Sequence, residues 1–417
     1  MDTRMDTVEA GGSKMGMEML RQQVLERLDH TKEATDEEIY NCIDEVLIQE
    51  SKKTYLPLQT RMQLRKSIFD SLRRMDVLQD LLENPAITEI MVNGYDTIFV
   101  EEQGQIRKLD ARFLSKERLS DVIQQIVART NRRINEAVPI VDSRLEDGSR
   151  VNIVLNPIAI NGPILTIRKF PEHPVTMQDL IGWGALSQEL AEFFADLVQA
   201  GYNIFVCGGT GSGKTTFLNA ISNYIKKERV VTIEDSAELR LSSVENLVRL
   251  ETRNKNAEGE NEITIRDLIR SSLRMRPDRI IVGEVRGEEA LDLLQAMNTG
   301  HDGSLSTGHG NSPQDMLSRL EIMVLMGVEM PISAIRAQIA SAIDILVFLG
   351  RLRDRSRKVL EVVELTGYEN EQIQIHSLYR FVETGQKKGR IQGEWRGGRK
   401  NLKMRKKLLA AGICWNE

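Results

Sequence analysis

The chain has 417 residues, of which 41% are hydrophobic and 28% are charged, and its formal net charge is −5. This length predicts two or three domains rather than one core. The acidic balance excludes a chain built as a whole to coat nucleic acid, and no apolar run approaches the ~20 residues that a membrane-spanning helix needs.

The first residues and the cysteines indicate a cytoplasmic protein. Residues 1–17 are polar and acidic, so we expect no signal peptide. Three cysteines, Cys42, Cys207 and Cys414, lie far apart without metal-ligand spacing, and a reducing compartment suits them. We interpret Cys207 as a small buried strand residue rather than a reactive thiol.

Residues 1–84 form the first predicted region, which is helical. Apolar residues recur there at helical spacing and predict three short helices in a small bundle or an extended arm. Asp36 is the expected cap of the second helix. The residues that share faces are Leu20, Val24, Leu25 and Leu28, then Ile39, Ile43, Val46 and Leu47, then Leu64, Ile68, Leu72 and Val77.

Residues 85–170 are predicted to form a small mixed α/β domain. Asn84-Pro85 breaks the preceding helix, and an order of strand, strand, helix, strand, strand follows. Residues 171–174 form the predicted linker to the next domain. The predicted elements are strands at Ile87–Val92 and Thr97–Val100, a helix at Leu119–Thr130, and strands at Arg150–Val154 and Ile164–Arg168.

Residues 175–384 alternate helical segments with short apolar strands, which predicts a parallel sheet covered by helices on both faces. The chain changes character after that. Residues 385–417 are strongly basic, and we expect a solvated, disordered tail, with binding to anionic lipid or nucleic acid as the alternative. The predicted strands of the sheet are Asn203–Cys207, Val230–Ile233, Ile280–Val282, Ser304–Thr307 and Ile345–Phe348.

A phosphate-binding loop lies at the centre of this third region. It follows an apolar strand, precedes a helix, and fits G-x-x-x-x-G-K-[ST] at every position. The pattern predicts ATP held by backbone N–H groups, with Lys214 on the β- and γ-phosphates and the Thr215 hydroxyl on Mg²⁺. The loop residues are Gly208, Gly209, Thr210, Gly211, Ser212, Gly213, Lys214, Thr215 and Thr216.

Acidic residues follow two other predicted strands. Glu284 ends one strand, where it is the expected base or water-positioning group, although Gly283 occupies the usual Asp position. Glu234 and Asp235 end another strand and could supply charge beside Mg²⁺; a helix N-cap pair is the alternative. His309 follows a further strand and could sense the γ-phosphate, with His301 as a competitor for that role.

These residues together resemble the type II/type IV secretion ATPases, and most closely the tight-adherence pilus branch (CpaF-like). The resemblance covers roughly residues 87–348. Its phrases are Glu89–Gly94, Asp142–Leu145, Asp147–Asn152, Ile167–Phe170, Gly208–Thr216, Thr232–Asp235, Leu273–Arg279, Val282–Gly287 and Thr299–Ser304.

The resemblance implies a RecA-like P-loop motor preceded by a PAS-like α/β domain, with six copies in a ring. It implies nucleotide in the cleft between the two domains, where Arg144, Arg150 or Arg168 would meet the phosphates; surface or sheet-pairing arginines are the alternative. It assigns Glu234 and Asp235 to an acidic box, Gly283 and Glu284 to an atypical Walker B, and His309 to a histidine box. This chain has Gly310 where the family usually has alanine.

The function implied is ATP hydrolysis that drives pilus assembly or protein secretion. The implied partner is a polytopic platform protein, and the implied location is the inner face of the cytoplasmic membrane. A retraction or conjugation motor, a non-catalytic nucleotide sensor and a small-molecule kinase are the alternatives; the long N-terminal half and the segment from His301 to His309 argue against the kinase.

Overall fold

The computed structural model describes residues 12–28, 34–102, 104–129, 133–170, 174–253, 255 and 261–415, with side chains from residue 16 onward. The chain divides into two compact units between residues 172 and 173, and each is described by itself. Residues 171–173 of the expected linker lie outside the described residues.

The first unit opens with helices and continues as an antiparallel sheet. The strand order is β3-β2-β1-β6-β5-β4. Its elements are α1 (Gly12–Arg27), α2 (Asp36–Lys53), α3 (Leu58–Arg73), α4 (Val77–Glu83), β1 (Ile87–Asn93), β2 (Ile98–Glu102), β3 (Gln105–Leu109), α5 (Lys116–Ala128), β4 (Ile140–Arg144), β5 (Arg150–Val154) and β6 (Ile164–Arg168).

Helices α1 to α3 enclose a small apolar core of their own, which the helical spacing predicts. The expected cap at Asp36 is wrong, because Asp36 is already the first helical residue. Thr35 is the cap: its side chain accepts from the Glu38 N–H, and the Glu38 carboxylate accepts from the Thr35 N–H at 2.8 Å. Four helices form rather than three, since a turn at Asp76 (φ +53°) separates α4 from α3.

The second unit is built on one nine-stranded sheet, in the order β15-β14-β13-β12-β7-β11-β10-β8-β9. Its helices are α6 (Met177–Gly182), α7 (Gln188–Gln199), α8 (Lys214–Ser222), α9 (Ile265–Ser272), α10 (Glu289–Asn298), α11 (Pro313–Gly327), α12 (Ile332–Ala342) and α13 (Lys406–Ala410). Its strands are β7 (Ile204–Gly208), β8 (Arg229–Glu234), β9 (Asn246–Glu251), β10 (Arg279–Val285), β11 (Leu305–His309), β12 (Ile345–Arg351), β13 (Arg357–Glu369), β14 (Gln372–Lys387) and β15 (Arg390–Gly397).

The six strands from β12 to β9 pair in parallel, and β13 to β15 add an antiparallel edge. Both faces of the parallel part are buried. Ile204 and Val206 of β7 pack into one core cluster, and Phe205 and Cys207 pack into the other. Continuous apolar strands are typical of such a sheet. The predicted class is confirmed: a RecA-like α/β unit preceded by a smaller α/β unit and helices.

The expectation of a solvated tail over residues 385–417 is wrong for its described part. β14 extends to Lys387, β15 follows, and a short 3₁₀ helix (Arg399–Asn401) leads to α13. Leu402 and Leu408 are buried in the core, and Trp395 and Trp415 pack against it. Widely spaced apolar residues between the charges supply this burial, and composition alone hides them.

Within the described residues, no single helix has both the length and the hydropathy of a membrane span. Helices α11 and α12 satisfy both criteria only as a pair, across a bend of 120°.

Candidate nucleotide site

The loop from Gly208 to Gly213 connects β7 to the first residue of α8, as the pattern predicts. Gly211 and Gly213 have φ values of +71° and +94°, in the left-handed region that favours glycine. A Cβ on Gly208 would collide with the Leu349 carbonyl oxygen and with Ser212 Oγ. Ser212 Oγ is itself buried without a hydrogen-bond partner. The cradle therefore needs glycine and holds an unsatisfied polar group, which fits a bound phosphate.

Lys214 is 7% exposed and points back over this loop. Its Nζ donates to the carbonyl oxygens of Gly208 (3.2 Å) and Gly209 (3.3 Å) and lies 3.4 Å from His309 Nδ1. Burial lowers the pKa of Lys214, while the nearby Glu284 carboxylate opposes this change. The ammonium group is thus held at the loop, in reach of a phosphate that enters it.

His309 connects Lys214 to Glu284. Its Nε2 lies 2.6 Å from Glu284 Oε1. Because Lys214 can only donate, the contact at Nδ1 assigns the proton of a neutral ring to Nε2, on the Glu284 side. Burial lowers the pKa of His309, and the Glu284 carboxylate opposes this change. The Lys214 and Arg286 cations add to the lowering, and the net direction is downward, which favours the neutral form.

Glu284 lies at the end of β10 and has two different oxygens. Oε2 accepts from Arg286 Nη2 at 2.8 Å. Oε1 is buried and has no aligned hydrogen bond, despite the close His309 contact. A buried carboxylate oxygen in this position is suited to accept a hydrogen bond from a water molecule.

Glu234 lies at the end of β8 and is 3% exposed. Its Oε2 accepts from the N–H groups of Glu238 (2.8 Å) and Leu239 (3.0 Å), and Oε1 accepts from Leu239 at 3.3 Å. Burial raises the pKa of Glu234 to about 7. These backbone contacts make Glu234 an anchor of the segment after β8 in this structure.

Gly283 makes room for Glu234. A Cβ at Gly283 would lie 3.0 Å from Glu234 Cγ and 3.5 Å from its Oε2. An aspartate at this position would therefore compete with the Glu234 side chain for the same space. This gives a physical reason for the missing Asp of the Walker B strand.

Asp235 is more exposed and lies 3.7 Å from Arg286 Nη1, so Arg286 touches both Glu284 and Asp235. Asp235 and Arg286 also line a groove of ≈ 340 Å³, together with Thr252 and Glu289. Sequence reasoning did not select Arg286. The sequence did contain an indication of its place, since in extended chain a residue two places after Glu284 points to the same face as Glu284.

The remaining loop residues and histidine candidates are placed as follows. Gly209 and Thr210 are exposed, and Thr215 and Thr216 lie partly buried on the first turn of α8. His301 lies before β11, at the opposite end of that strand from His309, and its Nδ1 is 3.1 Å from the Ala296 carbonyl oxygen. His309 alone of the two reaches Lys214. Gly310 leaves room for Met316, whose Cβ would lie 3.1 Å from an added Cβ.

The three candidate arginines of the first unit lie in one row across its sheet. Arg144 of β4 is registered with Arg150 of β5, which is registered with Arg168 of β6. Glu89 of β1 continues the row beside Arg168. Burial raises the pKa of Glu89, the Glu101 carboxylate adds to the rise, and Arg168 opposes it.

Metal-ligand clusters of three or more His, Cys, Asp or Glu side chains do not occur among the described residues. Mg²⁺ in nucleotide sites is usually held by one or two protein groups together with phosphates and water. Thr215 fits that arrangement, because it lies on the turn that follows the cradle.

The family model described as "Type II/IV secretion system protein" matches residues 72–392. A "Conjugal transfer protein TrbB" from Rhizobium radiobacter is 32% identical over 330 residues, which are 78% of this chain and 98% of that protein. The "Type IV secretion system protein PtlH" of Bordetella pertussis is 33% identical and shares 69% of this chain and 93% of its own length. Among solved structures, the ATPase DotB of Yersinia pseudotuberculosis superposes with a TM-score of 0.51 at 19% identity, over 70% of this chain and 79% of that one.

Proposed function

Because the chain belongs to the type II/IV secretion system protein family and is an ATPase of that family, we propose that it is the motor of an envelope machine, of the tight-adherence type, that assembles pili or secretes proteins. In this proposal six copies form a ring at the inner face of the cytoplasmic membrane and act on a polytopic platform protein. The observation that carries the proposal is the contact series from Lys214 through His309 to Glu284, at the phosphate loop.

The proposed chemistry uses these three side chains in sequence. The loop amides and Lys214 hold the triphosphate, and Lys214 leaves the Gly208 and Gly209 carbonyls for phosphate oxygens. Glu284 orients a water molecule with Oε1 and takes its proton. His309 loses its Lys214 donor when Lys214 moves, so it can report whether the phosphate is present.

Thr215 would hold the Mg²⁺ that accompanies ATP, with Asp235 in contact through water. Mg²⁺ supplies charge that offsets the phosphates when it is bound. We propose Glu234 as a positioning residue, since its oxygens accept backbone N–H groups. We also propose that the row of Arg144, Arg150 and Arg168 provides positive charge to the phosphates.

The test is phosphate release and nucleotide binding in two variants. Lys214→Ala should lose binding of ATP and with it turnover. Glu284→Gln should bind ATP as the wild type does but lose at least about 100-fold in turnover, in the range of general-base removal. Lys226→Ala and Glu245→Gln, both at exposed positions, are the matched controls. Full ATPase activity in Glu284→Gln would refute the assignment of Glu284 as the base. If the wild-type protein binds ATP but shows no turnover in the presence of lipid, a nucleotide sensor would be favoured.

A conjugation-type motor is the second candidate, because relatives with 30% identity or more carry the name conjugal transfer protein. The motor chemistry would be the same and the cargo different. In the source organism, a Lys214→Ala strain should lose surface pili if the first proposal holds. Loss of DNA transfer with intact pili would favour the second.

A further inference from the structure

The turn between β12 and β13 lies beside the phosphate loop. Gly208 is registered with Leu349 of β12 on one side and with His309 of β11 on the other. The chain that continues from Leu349 through residues 351–357 therefore emerges at the same edge of the sheet as the loop. It lies on the side opposite His309 and Glu284.

Arg357 brings a positive charge from this turn to the loop. Its Cδ lies 3.6 Å from the position that a Cβ on Gly213 would take, so its stem lies against the N-cap residue of α8. Its side chain is exposed. In the part of the chain that the structure describes, its guanidinium makes no hydrogen bond or ion pair, whereas Arg353 pairs with Glu383 and Arg380 pairs with Glu361.

The turn is fixed by the β14–β15 hairpin. Asp354 Oδ1 accepts from the Ser356 N–H (3.0 Å) and hydroxyl (2.6 Å), and Oδ2 accepts from the Ile391 N–H at 2.7 Å. Arg353 pairs with both oxygens of Glu383. These contacts limit the freedom of the turn before any ligand arrives, which lowers the entropy lost when Arg357 binds.

We propose that Arg357 is a further nucleotide-contact residue, which binds the α-phosphate end of the nucleotide, and that Asp354 positions it through the hairpin. The inference rests on the proposed function, since it needs a nucleotide in the loop. Glu284 and His309 occupy the side where the terminal phosphate is cleaved, and Arg357 approaches the loop from the other side. A guanidinium is suited to two phosphate oxygens at once.

The test is equilibrium binding of ADP and of a non-hydrolysable ATP analogue, measured by calorimetry. Arg357→Gln should weaken both ligands by the same factor, about tenfold for one charge-assisted hydrogen bond at an exposed site. Arg396→Gln, which removes an exposed charge from β15, is the matched control and should bind as the wild type does. Unchanged affinity, or a loss confined to the ATP analogue, would overturn the assignment to the α-phosphate end.

Asp354→Ala tests whether Asp354 acts on nucleotide binding by positioning Arg357. It should weaken ADP binding in the wild-type background and add nothing in the Arg357→Gln background, while additive losses would show that Asp354 acts by another route. If the wild type itself fails to bind ADP, the proposed function fails as well. If the wild type binds ADP, Lys214→Ala does not, and Arg357→Gln binds normally, then only this inference fails.

Discussion

Gly283 and Glu234 lie near the ends of the neighbouring strands β10 and β8, and the absence of a side chain at Gly283 makes room for Glu234. Glu234 fills the space that an aspartate on β10 would use, and its carboxylate accepts the N–H groups of the segment that follows β8. In the proposed chemistry, the acid near the phosphates is then Glu284, one residue later on β10. A departure from the common motif thus has a steric cause in this chain.

Gly283→Ala tests that cause. The added methyl group would lie 3.0 Å from Glu234 Cγ in a buried strand, so we expect a loss of about 1–3 kcal/mol in the free energy of unfolding. Chemical denaturation is the measurement. Gly182→Ala is the control, because an added Cβ there meets no atom within 4 Å. Equal stability of Gly283→Ala and the wild type would remove the steric explanation.

The buried Glu234 carboxyl also predicts a pH dependence. Its pKa is raised from 4.5 to about 7 in the folded state, so between these values the folded protein holds a proton that the unfolded chain releases. The contribution of Glu234 to the free energy of unfolding is complete below about pH 4.5 and is lost as the pH rises through the window from there to about 7. The change is at most roughly 3–4 kcal/mol, since one pKa unit is about 1.4 kcal/mol.

Glu234→Gln should reduce the fall in stability across that window, measured as the unfolding free energy below and above it. The exposed Glu245→Gln variant should keep the wild-type dependence. If the unfolding free energy of Glu234→Gln fell as much as that of the wild type, the titration would belong to another group.

At this scale the sequence predicts which residue types meet, but not their contacts. The phosphate loop, Glu284 and His309 each follow a predicted strand, and the carboxyl edge of the parallel sheet brings them together. The backbone bonds of Glu234 and the bridge made by Arg286 depend on side-chain rotamers, which no spacing rule contains. Arg357 is the first residue of β13, just after the turn, and only the pairing of β12 with β7 brings it to the loop.

Most of the predicted strands have a clear burial pattern, although β4 and β13 were not predicted despite their buried residues. The five central strands of the second unit are apolar runs, and the sequence finds all of them. β3 (Gln105–Leu109) was not predicted, since four of its five residues are exposed and no alternation marks it. β14 and β15 were hidden by their charges, because their stability comes from pairing and from a few aromatic contacts such as Phe381 with Trp395.

The segment after β15 packs against the rest of the second unit, and Lys407 supplies one of its polar contacts. Lys407 Nζ lies 2.7 Å from both Asp302 and Asp344 and donates to the Gly201 carbonyl oxygen. Burial raises the pKa of Asp344, and Lys407 opposes that rise. Removing the lysine leaves this carboxylate without its charge partner.

Lys407→Met should therefore lower the unfolding free energy of the second unit by about 1–3 kcal/mol. Lys406→Met, an exposed neighbour on the same helix, should change it little. Thermal melting of both variants is the measurement, and indistinguishable midpoints would show that contacts other than those of Lys407 hold the segment in place.

The whole molecule raises the question of assembly. Nine strands give the second unit two sheet edges, β9 and β15. Exposed apolar residues also lie together in sequence near the end of α11 and the start of α12, at Ile322, Met326 and Ile332. Surfaces of this kind are available for contacts between copies, which the proposed ring requires.

Mixing of subunits tests whether the copies work together. In a ring whose subunits hydrolyse ATP in order, one Glu284→Gln subunit would bind ATP without cleaving it. Its neighbours would then stop hydrolysing ATP. Activity should then fall more steeply than the fraction of wild-type chains when the two proteins are unfolded, mixed and refolded together. Lys226→Ala, mixed in the same way, should leave activity unchanged. A fall in strict proportion to the Glu284→Gln fraction would mean that each copy hydrolyses ATP independently, and the coordinated motor would have to be abandoned even if the ATPase activity of each copy remained intact.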